Sequence, residues 1–478
     1  MNNISMNNEQ CATNDRGVRW ASILGAGMIL LAIYAATLSP TITWAHYGAD
    51  GGDLVTAVAR GSIPHPPGFP TYLLLGKLFI RLPWGDPAWR LNLMSAVTAV
   101  GAACLTAAST KHLPSFAIRH SPFAICLCLG LAPLFWSQAI ITEVYAPAAL
   151  FVALVIYLAL GDGPAWAMGL AWGIGMGVHP TLLFLAPLVL WAAWKKPGFC
   201  RSAYIKTGFL VFSSWGIMYG LVILAWSNTP SPWGNTRTLA NWWTLVSGRM
   251  YHGYLFGLPL ADWPRRLLAW VGLLARQFTP LGAILAGLGW TNLWRRRRSL
   301  ALASALVFGA FSLYAIGYDT ADSLVYLTLA LPVAALWLAD GLSQAAAWLS
   351  HRARWGAGAI VLLPLLQVLL FWGQLDLATD RTALEWAERT LRRAPPQAII
   401  LTNQDRHTFT LWYVQTVLGQ RTDVTVIDID LWEQASYREM MGTELGIEAV
   451  ENNLLPKDMA RWTGRPIVKT STETTDDL

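Results

Sequence analysis

About eleven stretches of this chain are apolar over a length close to the ~20 residues that an α-helix needs to cross a bilayer. They lie at 20–45, 91–108, 122–141, 145–160, 165–178, 181–194, 209–226, 278–294, 300–316, 324–342 and 355–375. So many runs leave few folds open, because backbone N–H and C=O groups in lipid must be paired within their own segment, which means helices. Composition agrees: 13% of residues are charged, against about 25% in soluble domains. The 26 tryptophans suit long membrane–water interfaces. A net charge of +6 would suggest nucleic acid in a soluble protein. Here the cations sit between apolar runs, so topology accounts for them and no nucleic-acid partner is expected. The five cysteines, Cys11, Cys104, Cys126, Cys128 and Cys200, have no metal-site spacing with histidine and outline no disulfide framework.

The basic residues set the sidedness. Arg16 and Arg19 precede the first run, and Lys111, His112, Arg119 and His120 follow the second. Lys195, Lys196 and Arg201 follow the sixth, four arginines at 295–298 the eighth, and His351, Arg352 and Arg354 the tenth. With eleven spans all of these share one side, which the positive-inside rule makes cytoplasmic. The outer side then receives 48–70, Glu143, His179, the 228–266 loop, the turn 318–322 and everything after 375. Ionisable groups at membrane depth are costly and mark functional sites, so their convergence points to an outer-face site. Two further apolar stretches that carry cations, 69–82 and 262–277, read as helices lying in the interface plane.

The stretch 48–70, GADGGDLVTAVARGSIPHPPGFP, places two carboxylates three residues apart near an arginine and a histidine. A structural explanation exists: Asp50 as N-cap, Asp53 in the first turn, Gly61 as C-cap, then a stiff proline turn. A capped first turn also holds a carboxylate rigidly, and His65 beside two carboxylates can orient a base or bind phosphate. Glu143, with Tyr145 close behind, ends a span on the same face, where a helix-end cap is the alternative. His179 lies between two spans and suits capping equally well. Arg249 lies in the large outer loop among tryptophans, where membrane-surface placement is the alternative. No Walker loop, GxGxxG, HExxH, CxxC or GxSxG occurs to support nucleotide hydrolysis, redox chemistry or a serine hydrolase.

The last hundred residues change character. An amphipathic helix is expected over 376–393, buried strands at 398–402 and 424–429, and a crossover helix at 408–418, which together make a small α/β domain. The expected organisation is a cytoplasmic tail (1–19), a transmembrane domain (20–375) with a first outer loop at 46–88, an extracytoplasmic α/β domain (376–468) and a disordered tail (469–478).

The segment GADGGDLVTAVARGSIPHPPGFPTYLLLGKLF resembles the first outer loop of a GT-C-class family of multispanning glycosyltransferases. Its eukaryotic member is a protein O-mannosyltransferase of the endoplasmic reticulum, and its bacterial members are mostly of unknown function. The usual bacterial pattern is close to GDSGEL followed by GIAHPPGYPLY. Asp50 and Asp53 fall on its two acidic positions, and His65, Pro66, Pro67, Gly68 and Pro70 on its turn. GDPAWRLNLMSA, WSQAIITEVYA, GVHPTLL, LTNQDRHTFTLWYVQ and RTDVTVIDIDL also look like family segments. This chain departs from the pattern at Gly51-Gly52-Asp53, where Ser-Gly-Glu is usual, and at Pro180.

The resemblance implies a mainly α, GT-C-type polytopic fold and inverting transfer of a hexose, mannose-like among the options. The donor would be a polyprenyl-phosphate sugar and the acceptor a hydroxyl on protein or glycan. It implies an acidic residue of this loop as base, Asp50 with Asp53 supporting or else Asp53 itself, and substrate contacts from His65, Glu143, Tyr145, His179 and Arg249, with Arg265 and Arg266 as further phosphate candidates. No cofactor is expected, a divalent ion on Asp50, Asp53 and Glu143 being the alternative. A bacterial inner membrane, with the site facing the periplasm and membrane lipids as neighbours, completes the expectation. A transporter or flippase of a lipid-linked sugar is the competing reading; it expects paired halves, and the sequence shows none clearly.

Overall fold

The computed structural model describes residues 2–113, 121–195, 201–226, 229, 231–234, 236, 238–350, 361–447 and 455–470. Within the described residues each of the eleven apolar runs falls on helix in whole or in part; 355–360 of the last run lie outside them. The first is α1 (Asn2–Thr37), followed by α2 (Gly51–Arg60), α3 (Pro70–Phe79) and α4 (Pro87–Ser109). α5 (Ser121–Gly130) and α6 (Pro133–Ala139) lead to α7 (Tyr145–Leu160), α8 (Ala165–Met176), α9 (Ala186–Lys195) and α10 (Arg201–Ile217). α11 (Trp263–Gln277), α12 (Thr279–Arg296), α13 (Arg298–Gly317), α14 (Leu331–Ser350) and α15 (Leu362–Leu375) complete the bundle. Three segments, Gly17–Thr37, Pro87–His112 and Arg298–Gly317, are each long and apolar enough to cross a membrane, and three bent pairs qualify together. The chain is an integral membrane protein. The first span ends at Thr37 rather than at 45: Ser39 and Thr41 leave the helix to present their carbonyls to Asn92.

The bent spans show how a membrane core tolerates broken helices. α5 and α6 meet at 70°, and α11 and α12 at 95°. Backbone groups freed at such breaks must find partners inside the protein. Buried Gln277, at the end of α11, accepts the Leu134 N–H of α6 at 2.9 Å. Buried Gln367 of α15 donates to the Gln277 carbonyl at 2.6 Å and the Cys128 carbonyl at 3.0 Å. The near-perpendicular α11 suits the expected interface-plane helix at 262–277. α12 and α14 are in backbone contact: a Cβ on Gly289 would lie 1.9 Å from the Trp337 carbonyl, the small-residue packing common between membrane helices.

The basic segments gather at one end. Arg297 donates to the His112 carbonyl at 3.0 Å, Arg19 to Thr110 Oγ1 at 3.3 Å, and the Lys111 ammonium sits 5.2 Å from the Tyr157 ring centroid. Arg119, His120, Lys196, His351, Arg352 and Arg354 lie outside the described residues.

At the other end sits a small α/β unit. α16 (Thr382–Arg393) precedes β1 (Ile399–Thr402), α17 (Asp405–Thr416) and β2 (Thr425–Asp428), and α18 (Ala435–Leu445) precedes β3 (Ile467–Lys469). The sheet is parallel, in the order β2-β1-β3. β1 and β2 fall on the two expected strands, and α17 starts three residues before the expected crossover helix. β3 reaches Lys469, the first residue of the expected disordered tail, and Thr470 still donates to the Leu401 carbonyl at 3.1 Å. Residues 471–478 lie outside the described residues.

Candidate active site

α2 carries the site, and its glycines explain its placement. A Cβ on Gly52 would lie 2.3 Å from the Phe409 carbonyl of α17, so only glycine lets the first turn of α2 press against the α/β unit. Gly61, at φ +70°, closes α2 in the left-handed conformation expected of a C-cap. Around α2, buried polar side chains pin the neighbouring loops. Asn92 of α4 donates to the Ser39 carbonyl at 2.8 Å and the Thr41 carbonyl at 3.1 Å, and accepts from Thr142 Oγ1 at 2.6 Å. It thereby fixes the loops on both sides of the site. Asp86 caps α4 through the Ala88 N–H at 2.8 Å and accepts the Tyr413 hydroxyl of α17 at 2.6 Å.

Asp53 is fully engaged. Its Oδ2 accepts from the backbone N–H and the Nδ1 of His65, both at 2.8 Å, and its Oδ1 accepts the Trp233 indole N–H at 3.2 Å. Asp50 differs. It stands at the N-cap position of α2, but its side chain makes no capping bond. The expected capping role therefore fails for this carboxylate, which stays 38% exposed with His65 Nε2 at 3.5 Å. The imidazole thus bridges two carboxylates (His65 Nδ1 to Asp53, Nε2 to Asp50), while Phe69, Trp233 and Phe409 hold its ring, with centroids at 5.0, 5.9 and 6.4 Å.

The electrostatics follow. Burial works to lower the His65 pKa, but the Asp50 charge and the Asp53 hydrogen bond and charge outweigh it and raise it to about 9. Desolvation by the surrounding protein raises the Asp50 pKa above the usual carboxylate value; His65 opposes this, and the Asp322 and Asp53 charges add to it.

The remaining expected residues divide. Glu143 is buried, and its Oε2 accepts from the Val144 N–H at 3.2 Å; burial first and the Asp50 charge second push its pKa up. His179 does cap, through Nδ1 with the Thr181 hydroxyl at 2.7 Å and N–H at 3.3 Å. Its ring also continues the site: Phe69, Tyr145 and Tyr326 lie at 6.1, 5.9 and 5.5 Å. Phe69, held at φ +40°, thereby joins the two histidines through one aromatic chain. Arg249 is exposed and has no hydrogen bond or ion pair among the described residues. Nearby Tyr251 instead feels the Asp50 and Asp53 charges, which after burial raise its pKa. Arg266 is committed to the Thr320 carbonyl and Ser323 hydroxyl, and Arg265 is exposed. Sequence reasoning missed Trp233, Phe409 and Tyr326, which carry no local signal.

Asp50, Asp53 and Glu143 do not make a metal cradle. Both Asp53 oxygens already face N–H donors, and the imidazole stands between the two aspartates. Among the described residues no group of three or more His, Cys, Asp or Glu side chains is arranged to hold a metal.

Comparison with known proteins follows this division of the molecule. Residues 50–198 match the family model "Protein O-mannosyl-transferase TMEM260 N-terminal domain", and residues 383–460 match "TMEM260-associated domain 2". Two models named for TMEM260 thus match separate parts of the chain. The first begins at Asp50 and includes Asp53, His65, Glu143, Tyr145 and His179; the second is most of the α/β unit. The mouse protein O-mannosyl-transferase TMEM260 is 33% identical over 144 residues, 29% of this chain and 20% of the mouse protein. The Dictyostelium discoideum protein of the same name is 26% identical over 132 residues, 26% of this chain and 15% of that protein. These matches therefore span a fifth or less of the relatives' own length. Among solved structures, ArnT from Cupriavidus metallidurans bound to undecaprenyl phosphate superposes with a TM-score of 0.56 at 12% identity, covering 86% of this chain and 90% of that one. Its apo state gives 0.51 at 11% identity. These superpositions show a shared fold.

Proposed function

We propose that the chain is an inverting glycosyltransferase that moves a hexose from a polyprenyl-phosphate donor to an acceptor hydroxyl on protein or glycan. The observation that carries this reading is the Asp50 carboxylate, uncapped and partly exposed, held beside an imidazolium at the start of a rigid helix. Asp50 takes the proton from the acceptor hydroxyl as that oxygen attacks the anomeric carbon. The bond from that carbon to the phosphate oxygen breaks on the opposite face, its electron pair leaves with the lipid phosphate, and the configuration inverts. Asp53 does not contact substrate in this scheme; it positions His65, which holds Asp50 and offers positive charge to the departing phosphate. The reaction runs without a metal ion. Tyr145 and His179 line the approach, and Arg249 and Arg265 remain free for the lipid phosphate where Arg266 does not.

The lipid donor is supported by ArnT, of the same fold, having been crystallised with undecaprenyl phosphate, and hydroxyl transfer by the activity named for the TMEM260 relatives. The site lies at the end opposite the basic segments, which supports an extracytoplasmic location, in a bacterium the periplasmic face of the inner membrane.

The test is transfer of radiolabel from a polyprenyl-phosphate sugar in nanodiscs. Asp50→Asn is expected to lower turnover by about 10²–10⁴-fold with an unchanged melting temperature. Full turnover in that variant sinks the base assignment, and label that changes leaflet without reaching an acceptor sinks the transferase reading.

A further inference from the structure

One carboxylate of the α/β unit faces the site and has no part in the scheme above. Asp405 opens α17, one helical turn before Phe409, so the two share a face of the helix. That face is pressed against the site. A Cβ on Gly52 would meet the Phe409 carbonyl at 2.3 Å, and the Phe409 ring lies 8° from parallel to the His65 imidazole, with centroids 6.4 Å apart. The Trp44 indole, bonded to the Arg406 carbonyl and Thr410 Oγ1, holds the first turn of α17 in this position. Asp405 is exposed to the cleft, and its side chain has no hydrogen bond or ion pair among the described residues. The neighbouring cation is engaged elsewhere: Arg406 donates to Gln404 Oε1 at 2.9 Å and lies over the Trp44 ring at 5.2 Å.

We propose that Asp405 is a positioning residue of the site, a negative charge lent by the α/β unit that holds His65 as an imidazolium. The inference rests on the transferase reading above, in which that imidazolium faces the departing phosphate. The charges around Asp405 come from three sides: Asp50 and His65 from α2 and the turn after it, Asp428 and Asp430 from the end of β2, and Tyr251 from the outer loop. Burial first, then the Asp50 and Asp428 charges, raise the Asp405 pKa to about 7; His65 opposes the rise and Asp430 adds to it. Above that pH Asp405 is ionised, and its charge joins the larger effects of Asp50 and Asp53 on His65. Below it Asp405 takes up a proton, so its charge is absent from the acid side of the rate profile. Asp405 therefore acts on the alkaline limb alone, where His65 loses its proton.

The experiment uses the full chain in nanodiscs. Deuterium exchange at the His65 Cε1–H, followed by mass spectrometry against pH, reads the titration of this imidazole without donor or acceptor. The wild-type midpoint is expected at about 9. Asp405→Asn, of the same shape, is expected to lower it by about half a unit, the effect of one charge across a partly solvated cleft, with an unchanged melting temperature. Asp405→Glu keeps the wild-type midpoint, and so does Glu385→Gln, which removes an exposed charge from α16. In the radiolabel assay Asp405→Asn moves the alkaline limb of kcat to lower pH by the same amount and leaves the acid limb in place. An unmoved midpoint in Asp405→Asn, or an equal fall in Glu385→Gln, overturns the proposal. A raised KM at an unmoved midpoint overturns it too, because Asp405 is then a substrate contact. The two readings fail separately. A lowered midpoint in a chain that transfers no sugar keeps the hold of Asp405 on His65 and removes the transferase; transfer with midpoint and limb unmoved removes the role of Asp405 alone.

Discussion

At the scale of residues, Asp50 and Asp53 are three positions apart with the same side chain, and the fold gives them opposite duties. Three N–H donors occupy Asp53, while Asp50 keeps its carboxylate open with only His65 Nε2 beside it. The pH behaviour follows from that asymmetry. Asp50, raised above the usual ~4, must be ionised to act, so transfer rises with pH through its elevated pKa. His65 is raised to about 9 and stays an imidazolium until then, so activity falls again near that pH. A bell-shaped rate profile is the expected result. Stability follows the same sign. A histidine whose folded pKa exceeds its unfolded 6.5 contributes its full stabilisation below pH 6.5 and loses it as pH rises through about 9. Thermal unfolding across pH 6–10 is expected to show that loss in the wild type and a flatter curve in His65→Gln. An equal slope in both proteins removes His65 as its source.

At the scale of elements, the junction of α2 with α17 ties the site to the α/β unit. The Phe409 carbonyl approaches the Gly52 backbone, Tyr413 donates to Asp86, and the Trp44 indole donates to the Arg406 carbonyl at 3.1 Å and Thr410 Oγ1 at 2.9 Å. His407 stacks on Trp386 at 4.2 Å between ring centroids. Gly52→Ala forces a methyl into a backbone oxygen that cannot swing away as a side chain could. It is expected to cost about 3 kcal/mol or more, seen as a lower melting temperature and faster proteolytic release of the segment after residue 375. A melting temperature within a degree or so of wild type, at the several degrees per kcal/mol usual for domains, means that the close approach is not tight. The second glycine of Gly51-Gly52 is where the two elements touch.

At the scale of the whole molecule, the loop cations Arg19, Lys111 and Arg297 gather at one end, and Asp50, Asp53 and His65 lie at the other. In a background lacking the native cysteines, Ser436→Cys on α18 is expected to react with a membrane-impermeant maleimide in sealed cells, and Arg296→Cys to react only after lysis. Labelling in the reverse order places the site in the cytoplasm. The same ends explain why the α/β unit belongs to the machinery. The Leu377 N–H donates to the Thr37 carbonyl at 3.1 Å, so this unit begins at the Thr37 end of α1 and packs against the segment that carries Gly52.

The sequence by itself determined the membrane class, because apolar run length is a local property of the chain; cation placement and the HPPGFP turn, equally local, carry the proposed sidedness and the proposed site. It also located β1 and β2, whose short apolar runs have polar borders. It left open which aspartate is the base, and offered Asp50 as N-cap and Asp53 as a first-turn carboxylate for the structural alternative. That choice rests on Trp233, 180 residues beyond Asp53 along the chain, and on a histidine that reaches both carboxylates only after the turn has folded back. The bent spans and the place of Asp405 were equally hidden. Gln277 and Gln367 read as ordinary polar residues until the breaks they satisfy exist, and the α17 face that carries Asp405 meets α2 only in the tertiary fold. Periodicity and charge report what each segment needs from its solvent; which donor reaches which carboxylate is set by packing between distant segments.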